Sequence, residues 1–330
     1  MKYLVFALLP LTFGQLSGQS LQVDPACPVY QPAQRLSGTL TTIGSDSLAE
    51  EMKLWADMLH GVHPDVNIII KPIGSDRSAK ALIDGSSQFA YSGRPMPANE
   101  IAAIKAAWGY PPLRVFVSGS DPNKPTTTHP QAVWINAKNP LRALTFKQVD
   151  AIFSDSLKRG APKNITTWGE LGLTGEWANA PIHKYALNAT GGPGIYVRET
   201  LLLGATWNSS VKDIREEKVI PEGVAKDPYA IGLTGLPYGT PEVRALALAV
   251  NEGETYVEPT LFNFLNHSYP LSRFNYLYIN KPPGKPLDPV IKELLHVALS
   301  RQGQEAALQA HYLPLNTEML LQELALIDSM

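Results

Sequence analysis

The sequence predicts an α/β protein of two lobes, each with a mixed, mostly parallel sheet flanked by helices. Between Leu36 and Trp108, strand-like runs alternate with helix-like runs, which is typical of a mostly parallel sheet covered by helices. About 310 residues follow an apolar N-terminal stretch, more than one small core requires. The tripeptide Gly-Ser-Asp also occurs twice, at 44–46 and 74–76, each time between a strand-like and a helix-like run.

The first part of the chain supplies the clearest elements. Strands are predicted over 38–43, 66–71, 88–91 and 115–118, and helices over 47–60, 77–84 and 97–108. In the first helix Leu48, Met52, Trp55 and Leu59 recur at helical spacing and form one buried face. Residues 119–130 are rich in Pro, Thr, Ser and Asp without apolar periodicity, so they are predicted to form a surface loop.

The second part is less regular. Strands are predicted over 133–136, 182–187, 243–250 and 276–280. The runs Thr145 to Gln148 and Thr167 to Glu170 each fit a capping box at a helix start. The glycine-rich turn 191–194 precedes a helix that continues to about Leu203, and Pro289 after Asp288 opens a helix through Ser300.

The N-terminus predicts export. Lys2, an apolar stretch from Tyr3 to Phe13 and small residues up to Ser20 fit a secretory signal over residues 1–20, followed by a tail over 21–36. The alternatives are a buried first strand or a membrane anchor. The apolar stretch is too short to span a bilayer, and no later run is long enough, so no membrane span is expected in the mature chain. The single cysteine, Cys27, is expected as a free thiol in a loose tail.

Composition excludes several classes of function. The chain has 28 basic and 30 acidic residues and no basic run, so no nucleic-acid surface is expected. The histidines and the cysteine lack metal-ligand spacing. No Gly-x-Ser-x-Gly elbow or nucleophile with a base favours a phosphate-ester hydrolase, so neither a cofactor nor an enzymatic activity is predicted.

The two Gly-Ser-Asp turns predict an anion site. A polar turn that opens a helix leaves backbone N–H groups unpaired at the positive end of the helix dipole. Ser47 with Glu50 also fits a capping box, so its hydroxyl either caps the helix or contacts a ligand. Asp46 and Asp76 have the same alternatives, as capping turn residues or ligand contacts.

The order of segments resembles the periplasmic phosphate-binding proteins of ABC-type importers, which have the type II two-lobed fold. The resemblance extends from about Ser37 to Leu315. It rests on these runs: Ile43 to Leu48, Ile73 to Ser75 with Ala81 to Gly85, Ser92 to Met96, Leu144-Thr145, Val149 to Ser154, Ile165 to Gly169, Tyr229 to Gly232, Tyr269 to Arg273, Leu299 to Gln304 and Tyr312 to Leu315.

The resemblance implies a lobe 1 of residues 37–134 and 274–330, a lobe 2 of residues 135–273, and crossings near 133–136 and 274–280. It implies that phosphate or a related oxyanion binds between the lobes, that an ABC permease is the partner, that the chain works in the periplasm and that it is a monomer. The expected ligand-binding residues are Ser45, Asp46, Ser47, Ser75, Asp76, Arg77, Ser92, Arg94, Asn188 and Gly192. For Arg94 the alternative is an ion pair within the lobe.

The second-lobe loop departs from the family pattern, which has an arginine followed by Ser-Gly-Thr. Leu187, Gly191 and Pro193 stand at those positions, which removes a charge and two hydroxyls. Arg77 is therefore a candidate for the missing cation, and Asp121 for the acidic acceptor that the family uses for protonated phosphate. The glycine run 191–194 is either a nest of backbone donors or a tight turn. The alternative function is a degenerate member that has lost phosphate binding and acts as a periplasmic or surface interaction protein.

Overall fold

The computed structural model describes residues 21–32 and 34–330, and the expected signal over residues 1–20 lies outside them. The strands are β1 (Ser37–Gly44), β2 (Asp65–Pro72), β3 (Phe89–Ser92), β4 (Leu113–Gly119), β5 (Gln131–Asn136), β6 (Ala143–Thr145), β7 (His183–Leu187), β8 (Val211–Ile214), β9 (Ala230–Gly235), β10 (Val243–Ala245), β11 (Ala247–Ala249) and β12 (Phe274–Ile279). The α-helices are α1 (Ala49–Val62), α2 (Ser78–Ile83), α3 (Ala98–Trp108), α4 (Phe146–Phe153), α5 (Gly192–Leu202), α6 (Val219–Lys226), α7 (Leu261–Leu265), α8 (Pro289–Ala298), α9 (Arg301–Gln309) and α10 (Thr317–Asp328).

Two five-stranded sheets form the centres of two lobes. The first has the order β2-β1-β3-β12-β4 and the second the order β10-β5-β9-β7-β8. In the first sheet β12 runs antiparallel to both neighbours, so the other four strands share one direction. In the second sheet only β5 is reversed in the same way. Each sheet is therefore mixed and mostly parallel, as predicted from the alternation of strands and helices.

Each lobe has its own hydrophobic core. In the first lobe, α1, α8 and α9 cover one face of the sheet, and Trp55 and Leu59 of α1 are fully buried there. In the second lobe, α4 and α5 pack on the sheet around Trp168 and Phe153. The helical face predicted from the spacing in residues 47–60 is thus the packed face of α1.

The chain passes between the lobes twice. β4 ends in the first sheet at Gly119 and β5 begins in the second at Gln131, so residues 120–130 form the first crossing. The return crossing is residues 271–273, just before β12. The crossings are hydrogen-bonded together: the Ser120 amide donates to the Arg273 carbonyl at 2.9 Å, and the Gln131 amide to the Leu271 carbonyl at 3.1 Å. Each crossing precedes the strand at which it was expected, and a boundary at residue 134 would divide β5.

The prediction of a surface loop over 119–130 is wrong for both ends of the segment, since residues 119–122 and 127–130 are buried, and holds for its tip, where Asn123, Pro125 and Thr126 are exposed. Ser120, Thr128 and His129 are each only 2–3% exposed. Residues 120–130 belong to no helix or strand, which agrees with their loop-like composition. The two ends of the segment are buried because both lobes close around them.

The tail and two other predictions are also corrected. Cys27 is a free thiol but 1% exposed, and the guanidinium of Arg301 donates to its carbonyl, so the tail is packed rather than loose. The predicted strand 243–250 is two strands. β10 belongs to the second sheet, whereas β11 pairs with β6, and the chain changes partner at Leu246, whose amide donates to the Val133 carbonyl. The sequence patterns missed β6, β8, β9, α6, α7, α9 and α10.

The predicted helix starts at Thr145 and Pro289 are confirmed. Thr145 Oγ1 accepts from the Gln148 amide at 3.2 Å, and the Gln148 side chain accepts from the Thr145 amide at 2.8 Å. Asp288 accepts from two amides at the start of α8. Across residues 21–32 and 34–330, no helix combines the length and apolarity needed to cross a bilayer.

Candidate functional site

A cavity of about 530 Å³ lies between the lobes, above the two crossings. It is lined from the first lobe by Ser45, Asp46, Ser47, Gly74, Ser75, Asp76, Gly93 and Arg94, from the crossings by Pro125, Thr126, Thr127, Thr128, His129 and Arg273, and from the second lobe by Thr190, Gly191, Gly192, Pro193, Ile195 and Glu217. Both Gly-Ser-Asp turns therefore meet at one place, as their sequence pattern predicted.

The first Gly-Ser-Asp turn is held tightly against the sheet. A Cβ atom on Gly44 would lie 2.0 Å from the Tyr91 carbonyl oxygen, so only glycine permits this approach of β1 to β3. The Ser45 amide donates to that same carbonyl at 3.1 Å. A short 3-10 turn, Asp46–Leu48, then leads into α1. The first amides of the turn are left at the cavity, where a helix start favours an anion.

The Ser47 hydroxyl does not cap α1, so the capping alternative is wrong. Its Oγ lies 2.9 Å from Ser45 Oγ and 3.3 Å from Thr128 Oγ1. These three hydroxyls form a cluster at the base of the cavity, and each can donate or accept according to its partner. Asp46 and Asp76 likewise make no capping hydrogen bond within the described residues.

Seven of the ten predicted ligand-binding residues line the cavity: Ser45, Asp46, Ser47, Ser75, Asp76, Arg94 and Gly192. Arg77, Ser92 and Asn188 do not. The Arg77 side chain is 66% exposed, with Nε 3.6 Å from Asp76 Oδ2. Ser92 Oγ donates to the Arg94 carbonyl at 2.9 Å, and Asn188 Oδ1 accepts from the Thr190 amide at 2.8 Å. Both side chains shape loops that reach the cavity, and contact of these three residues with a ligand stays a prediction.

The two arginines at the cavity differ in how their charge is balanced. Arg94 is paired within the first lobe, since its Nη2 donates to Glu100 Oε1 at 2.8 Å. Arg273 is 5% exposed and has no carboxylate within 4.0 Å among the described residues. Its Nη2 donates to the Gly93 carbonyl at 2.6 Å, its Nε has no partner there, and its guanidinium lies 5.3 Å from the Tyr196 ring centre. Burial lowers the pKa of this guanidinium, but an arginine stays charged.

Arg273 therefore provides a buried positive charge with no carboxylate in direct contact among the described residues, and the charge of Glu217 acts on it from a greater distance. A buried charge without a counter-ion is costly, and an anionic ligand removes that cost. The sequence reasoning assigned the missing cation to Arg77, although Arg273 ends one of the runs that carry the family resemblance. Leu187, at the position of the family's arginine, is 5% exposed and lies in β7 outside the cavity lining.

Besides Asp46 and Asp76 of the first lobe, the acidic residue that lines the cavity is Glu217 rather than Asp121. Glu217 lines the cavity from the second lobe, whereas Asp121 does not, and Asp121 Oδ1 accepts from the Asn123 amide at 2.7 Å. Burial acts to raise the pKa of Glu217, but hydrogen bonds from His129 and the Gly235 amide, with the charge of His129, outweigh it and lower that pKa. Glu217 shows no local sequence pattern that marks it as functional.

The second lobe also presents the start of α5. A Cβ atom on Gly194 would lie 1.9 Å from the Asn188 carbonyl oxygen, so the 188–194 turn is compact. Thr190 is the hydroxyl residue that this turn contributes to the cavity lining, beside Gly191, Gly192 and Pro193. Within the described residues, no cluster of three or more His, Cys, Asp or Glu side chains fits a metal ion.

Sequence comparison places this geometry among known proteins. A profile described as a PBP superfamily domain matches residues 30–302. The phosphate-binding protein PstS of Pseudomonas aeruginosa is 37% identical over 293 residues, covering 89% of this chain and 88% of the relative. Protein SphX of Synechococcus elongatus is 23% identical over 259 residues, covering 77% of this chain and 72% of SphX.

Solved structures share the fold. An ABC-type phosphate transport receptor from Vibrio cholerae gives a TM-score of 0.60 at 18% identity, covering 84% of this chain and 100% of the receptor. PstS from Borrelia burgdorferi gives a TM-score of 0.60 at 14% identity, covering 84% and 99%. The predicted two-lobed fold is thus confirmed, and so is the resemblance on which it drew.

Proposed function

The chain belongs to the PBP superfamily and, within it, to the family of the phosphate-binding protein PstS, and on that premise we propose that it binds phosphate in the cleft between its lobes. The observation that carries the proposal is Arg273, a buried guanidinium with no carboxylate in direct contact among the described residues, at the point where two helix starts and both crossings meet. Charge and backbone donors on one small cavity favour a compact oxyanion.

The proposed binding mode uses three kinds of donor. Backbone amides at Asp46 and Ser47 and at Ser75 and Asp76 are proposed to face the anion from the first lobe, and those at the start of α5, around Gly192, to face it from the second. The hydroxyls of Ser45, Ser47 and Thr128 add neutral hydrogen bonds. Arg273 supplies the charge-assisted ones, which contribute about 1.5–3 kcal/mol each.

Glu217 is proposed as the acceptor for the proton that hydrogen phosphate carries. An ionised carboxylate accepts from a P–OH group, whereas a sulfate ion has no proton to offer and would meet a like charge. The lowered pKa of Glu217 keeps it ionised at neutral pH. Selection of phosphate over sulfate is then proposed to depend on the carboxylate of Glu217.

The biological setting follows from the family. Export into the periplasm, action as a monomer and delivery of phosphate to an ABC permease are proposed because relatives are described as ABC-type phosphate transport receptors. The proposed role is binding, without a chemical step. The degenerate-member alternative is not favoured, because Arg273 provides a cation and Thr128 a further hydroxyl at the cavity, where Leu187, Gly191 and Pro193 have removed the family's arginine and two hydroxyls.

Calorimetric titration of the chain, freed of bound anion, with phosphate, arsenate, molybdate and sulfate tests the proposal. We expect tight phosphate binding, little or no heat with sulfate, and a loss of about 100-fold or more in phosphate affinity for Arg273→Met, since a charge-assisted contact is removed and the cavity loses its cation. Absence of phosphate binding by the parent protein would refute the proposal. Unchanged affinity in Arg273→Met would refute the assigned role of Arg273.

A further inference from the structure

The carboxylate of Glu217 uses only one of its oxygens to contact the protein. Oε2 accepts from His129 Nε2 at 3.2 Å, from Thr234 Oγ1 at 3.2 Å and from the Gly235 amide at 3.0 Å. Within the described residues, Oε1 accepts no hydrogen bond, and the side chain is 14% exposed where it lines the cavity. The carboxylate is thus held by one oxygen and leaves the other for a ligand.

His129 faces an acceptor on each ring nitrogen. Its Nδ1 lies 2.9 Å from the Thr127 carbonyl oxygen, and its Nε2 lies 3.2 Å from Glu217 Oε2. The tautomer that carries its proton on Nε2 donates to the carboxylate oxygen of Glu217. The side chain of His129 is 3% exposed, and the ring centre of Tyr238, a titratable residue, lies 5.7 Å from its own.

The backbone at Gly235 lies so close to His129 and Glu217 that it leaves no space for a side chain at residue 235. A Cβ atom on Gly235 would lie 2.4 Å from His129 Nε2 and 2.8 Å from Glu217 Oε2. Any side chain at residue 235 would therefore displace the pair. The bare backbone at Gly235 both donates to the carboxylate and makes space for the imidazole.

The residue before His129 connects the same segment to the first lobe. The Thr128 amide donates to Tyr312 Oη at 3.2 Å, and Thr128 Oγ1 lies 3.3 Å from Ser47 Oγ. Two consecutive residues of the first crossing thus contact the hydroxyl cluster of one lobe and the carboxylate of the other. The distance between these two parts of the site is consequently set through residues 128–129.

We propose that His129 is a positioning residue for anion selection: it holds Oε2 of Glu217 so that Oε1 meets the ligand proton. This inference rests on the proposed phosphate function. The ligand itself is met by Glu217, and His129 acts through it. Without His129, phosphate loses an aligned acceptor, and sulfate meets a less well-placed negative charge.

The test measures phosphate and sulfate affinities of five proteins: the parent, His129→Ala, His129→Gln, Glu217→Gln and the double variant of His129→Ala with Glu217→Gln. His129→Ala should weaken phosphate binding about 10- to 100-fold and lower the phosphate-to-sulfate affinity ratio. In the Glu217→Gln background, His129→Ala should leave that ratio unchanged, because the carboxylate that His129 positions is no longer present. His129→Gln, which keeps a donor but no charge, should restore part of the ratio.

A matched control is His296→Gln, because His296 Nε2 lies 2.9 Å from Asp328 Oδ1 on the outer helices, away from the cavity. It should leave both affinities unchanged. A purely structural role for His129 would lower the melting temperature and weaken both anions equally, and that result would overturn the inference. If His129→Ala does not fold, the phosphate-to-sulfate affinity ratio of His129→Gln is compared with those of Glu217→Gln and the parent. A ratio in His129→Gln equal to that of the parent would then overturn the inference. If the parent binds phosphate and the His129 variants keep its selectivity, the inference fails and the function stands; if the parent binds no phosphate, both fail.

Discussion

Glu51 provides a stability prediction that the structure makes quantitative. It lies in the first turn of α1 and is 1% exposed, against β4 and β12 at their crossing ends. Its Oε2 accepts from Asn275 Nδ2 at 3.2 Å, and its Oε1 has no partner among the described residues. Burial raises the pKa of this carboxyl from 4.5 to about 8, despite hydrogen bonds from Ser118 and Asn275 that act to lower it. The folded protein therefore carries a neutral Glu51 at pH 7.

The direction of the pH dependence of the unfolding free energy follows from how the folded and unfolded states bind the Glu51 proton. Between pH 4.5 and about 8 the folded state keeps the Glu51 proton while the unfolded state releases it, so the free energy of unfolding falls as pH rises through this range. The stability is fully present below pH 4.5 and is lost by about pH 8. At about 1.4 kcal/mol per pH unit, the full interval corresponds to at most about 5 kcal/mol.

Glu51→Gln removes this titration and keeps a neutral side chain of similar shape. We expect the variant to match the parent within about 1 kcal/mol at pH 5 and to exceed it by several kcal/mol at pH 8. Urea unfolding at pH 5, 6, 7 and 8 in phosphate-free buffer measures the difference, since bound phosphate would itself stabilise the fold. Glu50→Gln, at an exposed position of the same turn, is the matched control and should follow the parent at every pH. Equal pH slopes for Glu51→Gln and the parent would refute the reasoning.

Two further predictions test the site and the fold separately. Arg77→Ala should change phosphate affinity by less than about threefold in calorimetry, because the side chain is 66% exposed and its ion pair with Asp76 is a surface pair; a loss comparable with that of Arg273→Met would return Arg77 to the site. Thr145→Ala should lower the free energy of unfolding by about 1 kcal/mol in urea, because it removes the hydroxyl that caps α4, and Thr145→Ser should recover most of the loss. An unaffected Thr145→Ala protein would mean that tertiary packing alone fixes the start of α4.

Local patterns predicted the parts of the fold that local physics determines. The spacing of Trp55 and its neighbours predicted the buried face of α1, and the Thr145 capping box predicted the start of α4 within one residue. The Gly-Ser-Asp turns reached the cavity for a similar reason. In a parallel sheet the carboxyl ends of β1 and β2 meet at one edge, so turns that follow those strands become neighbours.

The missed residues share a different property, because sheet order and not local sequence brings them to the cavity. Arg273 and His129 lie on the two crossings, whose burial depends on both lobes being in place. Glu217 follows β8 in a stretch with little apolar periodicity. The break at Leu246 could not be predicted for the same reason. The apolar pattern gives no sign that the chain leaves one sheet after Ala245 and enters another.

The placement of charge bears on how the cleft works. In the family pattern that this chain resembles, the arginine stands in the second lobe, whereas here Arg273 lies on the return crossing. Its amide donates to Ser120 Oγ at 3.2 Å, and its carbonyl accepts from the Ser120 amide. Lobes that close around a hinge move least at the hinge itself. The positive charge is therefore in position before closure, and we expect the second lobe to add selectivity, through Glu217 and the start of α5, more than attraction.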